Sequence, residues 1–154
     1  MKLTHSINIS VPPAEVFPWI ADPQLALQWQ TSVAGGEIIK QTPDMVGTTF
    51  RERVEENGQG TELIGEITEY IVDELIAFHL DGQFNSVDVS FRVEATEHGS
   101  RVTQDAEVRF KGLVKWLSLI FGRRFKKKML RQLQQEFDKL KTLCEQNRDR
   151  DSAQ

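Results

Sequence analysis

The sequence holds one cysteine, Cys144, in 154 residues. An internal disulfide is excluded, and so is a metal site built on a CxxC pair. No uncharged apolar run approaches the roughly eighteen residues of a transmembrane helix. The opening residues, MKLTHSINIS, alternate polar and apolar side chains and lack the continuous apolar stretch of a secretion signal. These absences predict a cytoplasmic protein. GxSxG, P-loop, GxGxxG and HExxH signatures are also missing. The three histidines, His5, His79 and His98, stand far apart at no ligand spacing, so neither a metal nor another cofactor is expected.

Acid is missing from one segment. Between positions 111 and 135 there are eight Lys or Arg and no Asp or Glu, whereas the rest of the chain carries 11 basic against 23 acidic residues. A net charge of −4 therefore conceals an acidic body with one basic stretch. A general nucleic-acid binder is usually basic overall, and no DNA partner is expected. With 39% hydrophobic and 27% charged residues, the chain reads as one ordinary globular domain.

The longest regular signal is at the C-terminal end. Apolar residues at Phe125, Met129, Leu133, Phe137, Leu140 and Cys144 form one stripe at helical spacing. No Pro or Gly interrupts residues 123 to 147, and strong helix formers fill the other positions. Such a helix would be roughly 35 Å long. Gly122 predicts a break between it and a short preceding helix. Residues 148 to 154 read as a disordered polar tail behind a single domain over 1 to 147. Near a helix C-terminus the dipole disfavours a thiolate, so Cys144 reads as a packing residue.

At the other end, Leu3, His5, Ile7 and Ile9 alternate as in a half-buried strand. Pro12, Pro13 and Glu15 then start a helix that Pro18 must shorten or kink. A second short helix is expected near 24 to 29. Alternating runs near 37–40, 48–55, 61–71, 75–80, 86–95 and 101–110 follow, with the turn Asn57-Gly58-Gln59-Gly60 among the separators. The expected fold is α+β: a curved antiparallel sheet of about seven strands, two short helices after the first strand, and a long terminal helix covering one face.

The segment "INISVPPAEVFPWIADPQLALQW" resembles the opening of the SRPBCC, or START-like, superfamily. "VGTTF", "EITEYIVDELIAFHL", "GSRVTQDAEVRFKG" and the terminal helix are similar to its polyketide cyclase/dehydrase and lipid-transport branch. The likeness spans about residues 3 to 145 and lies in order and spacing, not in a catalytic signature. It implies a helix-grip fold, in which the sheet wraps the terminal helix around an internal cavity for apolar ligands.

On that reading the concave face offers Phe50, Glu52, Leu63, Ile67, Phe78 and Leu80 from the middle strands. Val89, Phe91, Gln104, Val108 and Phe110 come from the last two, facing Phe125, Met129 and Leu133 on the helix. Glu52 and Gln104 are the polar members. Each either bonds to a neighbouring strand or water, or orients a ligand's polar group. A desolvated Glu52 is the one candidate general base, with no acid partner in sight. A shift of one residue in strand phase would bring Arg51, Arg53 and Tyr70 inward instead.

Trp116 to Phe121 is an apolar run beside Arg123, Arg124, Lys126, Lys127 and Lys128. It either packs on the sheet rim, leaving the lysines solvated, or docks on an anionic membrane. Single-stranded RNA is a weaker partner, because few aromatics interleave the charges. The expected function is binding or transport of a small hydrophobic or amphipathic molecule. A cyclase- or dehydratase-like enzyme is the alternative, and a protein-interaction or ribosome-associated module without a ligand is the third.

Overall fold

The computed structural model describes residues 1–56 and 58–154. The chain runs β1 (Lys2–Ile9), α1 (Pro13–Ala21), α2 (Pro23–Ala26), β2 (Val33–Lys40), β3 (Thr49–Glu56), β4 (Gln59–Ile71), β5 (Leu75–Asp81), β6 (Asn85–Thr96), β7 (Gly99–Phe110) and α3 (Gly112–Ser152). All neighbouring strands pair antiparallel, in the order β1-β7-β6-β5-β4-β3-β2. The first and last strands are thus adjacent, while α1 and α2 carry the chain from one sheet edge to the other. Register irregularities between Ile67 and Glu69, and at both ends of the β2–β3 pair, mark where the sheet bends. Of the expected turn 57–60, Asn57 lies outside the described residues.

The alternation sorts the two faces as expected. Leu63, Ile67, Ile76, Leu80, Val89, Phe91, Val93, Val102 and Val108 are buried. Asp88, Arg109 and Glu107 on the other face join in exposed ion pairs. Arg51 and Arg53 meet Glu37 and Glu55 on that face, so β3 keeps its expected phase, whereas the irregularity between Ile67 and Glu69 shifts β4 and turns Tyr70 inward against Phe17, at a ring distance of 5.6 Å.

The first helix is short, as Pro18 requires, while other elements differ from expectation. Pro18 lies inside α1, which is nine residues long; its missing donor confines the helix to about two turns. α2 is only four residues, closed at its start by the Asp22 carboxylate accepting from the Gln24 amide at 2.8 Å. Gly122 does not break α3, which is one helix of 41 residues. Glycine costs only about 1 kcal/mol in a helix interior, and the strong helix formers around it outweigh that. The supposed tail is helical to Ser152. Its Arg148 donates to the Ser10 carbonyl at 2.7 Å, and Glu145 accepts from the Ser10 amide at 3.1 Å.

α3 lies mainly across β1 and also touches β7 and α1. Leu133, Phe137, Leu140 and Cys144 are its buried apolar residues. Phe137 sits edge-on to His5 and Trp29, at ring distances of 5.2 and 6.0 Å, and 6.5 Å from Phe91. Trp29 is fixed in turn by its indole N–H donating to the Trp19 carbonyl at 2.8 Å. Beside this aromatic knot, Glu136 is buried on α3 and accepts from the amide and hydroxyl of Thr31, both at 2.8 Å, and from the Ser32 amide at 3.2 Å. One carboxylate thereby holds the segment between α2 and β2 against α3.

Candidate ligand-binding site

Because Phe137 and its ring partners fill the space beneath the second half of α3, the expected basin is not one hollow under the whole helix. Two spaces remain. A groove of about 390 Å³ lies between the sheet end and the first turns of α3, walled by Val54, Leu63, Phe84, Phe110, Leu117 and Phe125 among others. An inner pocket of about 90 Å³ lies under α1 and α2, lined by Ile20, Ala26, Met45, Phe50, Glu52, Ile67, Phe78 and Phe91 among others.

Glu52 lines the inner pocket. It faces inward on β3 between Phe50, which lines the inner pocket, and Val54, which lines the groove. Its register partner across the sheet is Leu63, another groove residue. Gly36 opposite presents no side chain, and a Cβ there would sit 4.0 Å from the Glu52 Cγ. Among the described residues no hydrogen bond or ion pair meets the carboxyl, and desolvation alone pushes its pKa up from 4.5 to about 7. Next to it, the Phe50 ring lies directly over Gly65, where any Cβ would stand 2.2 Å from the ring.

The sequence from 1 to 145 matches the family described as polyketide cyclase / dehydrase and lipid transport. The chain belongs to that family. No curated protein matches it in sequence. Among solved structures, a START superfamily protein from Mycobacterium smegmatis superposes with a TM-score of 0.77 at 18% identity, over 94% of this chain and 97% of the other. A protein from Thermus thermophilus gives 0.79 at 14% identity, again over 94% and 97%. One from Rhizobium leguminosarum gives 0.69 at 16%, over 95% of each chain. At these identities the likeness establishes the helix-grip fold and nothing finer.

Set on this polyketide cyclase/dehydrase and lipid-transport scaffold, the residues expected to line a site separate into three groups. Phe50, Glu52, Ile67, Phe78 and Phe91 line the inner pocket. Leu63, Phe110 and Phe125 line the groove, Phe125 meeting Phe110 edge-on at 5.6 Å. Leu80, Val89, Gln104, Val108, Met129 and Leu133 line neither. Gln104 pairs in register with His5 and Phe91, and its side-chain oxygen is buried without a partner among the described residues. Thus neither Glu52 nor Gln104 makes the strand-to-strand bond that would explain it structurally.

Several wall residues escaped the sequence reading. Ile20 and Ala26 belong to the short helices, whose apolar residues read as core. Met45 sits in the β2–β3 connection with φ of 70°, where no periodicity points at it. Val114 and Leu117 lie in a stretch of α3 that is apolar on every side, so no face stands out. Elsewhere the family scaffold offers little chemistry. Cys144 is buried, and its thiol is pushed up to about 12 by desolvation and the Glu145 charge. His79 meets Asp88 at 2.6 Å on the outer face, where that contact and Arg109 hold the Asp88 carboxyl low. Among the described residues no three His, Cys, Asp or Glu converge as metal ligands would.

Proposed function

We propose that the protein binds a small apolar or amphipathic molecule whose greasy part fills the groove and whose polar end meets Glu52. The observation that carries this is an apolar-walled groove that includes Val54 and Leu63, the strand neighbour and the register partner of Glu52, whose carboxyl has no hydrogen bond or ion pair among the described residues. Glu52 is half-buried, and a guest that donates to or accepts from its carboxyl offsets the desolvation that burial imposes on it. The groove lies within the roughly 300–1,000 Å³ typical of small-molecule sites. With a pKa of about 7, the carboxyl can meet a guest either as an acid that donates or as a base that accepts.

Native mass spectrometry of the purified protein tests the reading directly. A mass above the 17.6 kDa chain, with the excess recovered in organic solvent, supports binding. Ser118→Trp, which fills the groove, should remove the excess and abolish enhancement of anilinonaphthalene sulfonate fluorescence. A bare chain whose S118W variant binds the fluorophore as well as wild type would end the proposal.

The same carboxyl favours one second reading, a cyclase- or dehydratase-like reaction with Glu52 as general base. A base poised near neutral pH suits proton abstraction. Turnover of a bound guest that stops in Glu52→Gln while binding persists would select it. Turnover unaffected by E52Q would exclude it.

A further inference from the structure

We infer that the first third of α3 is a docking element for an anionic membrane surface, entered from the N-terminal end of the helix. This inference stands on α3 itself and survives if the groove proves empty. Leu113, Trp116, Leu119 and Ile120 are 83%, 70%, 75% and 74% exposed. The packing of this run on the sheet rim, one of the two sequence expectations, therefore does not occur for these four. Phe84 on the adjoining β5–β6 turn is 48% exposed and widens the same apolar edge. Lys111 pins the helix start to this rim, donating to the Asp81 carboxylate at 2.5 Å and the Gly82 carbonyl at 2.9 Å.

The arrangement along the axis selects the partner. An amphipathic helix that lies flat in a bilayer carries its apolar and charged residues on opposite sides. Here they are separated lengthwise: residues 113–121 are apolar apart from Lys115 and Ser118, and the next turns carry Arg123, Arg124, Lys126, Lys127 and Arg131. At 1.5 Å per residue each block is about 13 Å long. The apolar block reaches the acyl boundary when the basic block stands at headgroup phosphates, with the helix inclined and its start deepest. Among the described residues no helix is long and apolar enough to cross a membrane, and the contact inferred is peripheral.

Charge opposes the obvious rival, a second copy joined helix to helix. Two segments with eight cations each and no anions would be brought side by side. An anionic surface instead attracts this end and repels the acidic remainder, which orients the molecule. The groove, with Phe84 and Leu117 in its walls, then opens at the interface.

Co-sedimentation with vesicles of phosphatidylcholine, and of phosphatidylcholine mixed equally with phosphatidylserine, tests docking. Binding should favour the anionic vesicles and weaken as salt rises. Neutralising Arg123, Arg124, Lys126 and Lys127 to Gln should cost about fivefold per charge, at least a hundredfold together. Trp19 and Trp29 are buried, so lipid-dependent quenching reports Trp116: brominated acyl chains should quench the wild type and not Trp116→Phe. Thermal melts of both variants establish that they fold. Equal binding to the two vesicle types, no binding to either, or an unquenched Trp116 overturns the inference. So does a lipid-free dimer in sedimentation velocity that already shields Trp116.

Discussion

Within α3, residues 133–144 and residues 113–121 are both rich in large apolar side chains, yet the fold treats them oppositely. Phe137 and Leu140 have no exposed surface, whereas Leu113 and Trp116 are 83% and 70% exposed. The difference lies in patterning. From Leu133 onward the apolar residues recur at three and four, so one side turns to β1 and β7 and the other carries Gln, Lys and Asp. From 113 to 121 they occur all round, and a helix face can bury only what faces the sheet. The second half of α3 thus holds the domain together, and the first third presents apolar surface.

Substitutions can break this contrast, and the largest effect belongs to the anchored half. Phe137→Ala should destabilise by about 3–5 kcal/mol, as buried aromatic truncations do, read from urea denaturation. Next is Glu52→Gln. In the fold the carboxyl keeps its proton up to about 7, while the unfolded chain releases it near the ordinary value. The folded state then binds more protons, so stability is full below about pH 4.5, falls as pH rises towards 7 and is flat above. E52Q should be more stable than wild type by roughly 3 kcal/mol at pH 8 and equal to it at pH 4. A parallel pH dependence in both proteins would show that Glu52 is solvated.

Glu136→Ala comes third. It leaves the amides of Thr31 and Ser32 without their acceptor and should cost about 2 kcal/mol, with faster hydrogen exchange at those two amides. Smallest is the pair Leu119→Ser and Ile120→Ser, each expected within about 0.5 kcal/mol of wild type in thermal melts. If either approached the Phe137 effect, the exposed third of α3 would be packed in solution and the contrast would collapse.

Much of this was legible in the residues. Strict alternation marks β6 and β7, because one face of each is wet and the other dry. The stripe from Leu133 to Cys144 marks the anchored half of α3 for the corresponding helical reason. Gly122 misled because a glycine's cost is small beside the many favourable neighbours on either side. Residues 148–152 misled because polarity alone does not separate a disordered tail from a solvated helix end tied down by Arg148. At the site, the phase of β3 placed Glu52 inward correctly. The face of Phe91 was expected opposite the stripe of Phe137, but nothing in the sequence foretold that Trp29 would join them, and it is their meeting that divides the interior. Contacts between residues so distant along the chain leave no local trace.

The ring of Phe50 rests where Gly65 has only hydrogen. The inner chamber therefore owes its opening to an omitted carbon. A methyl at that point would stand 2.2 Å from the aromatic plate, which would have to leave its seat in the chamber wall.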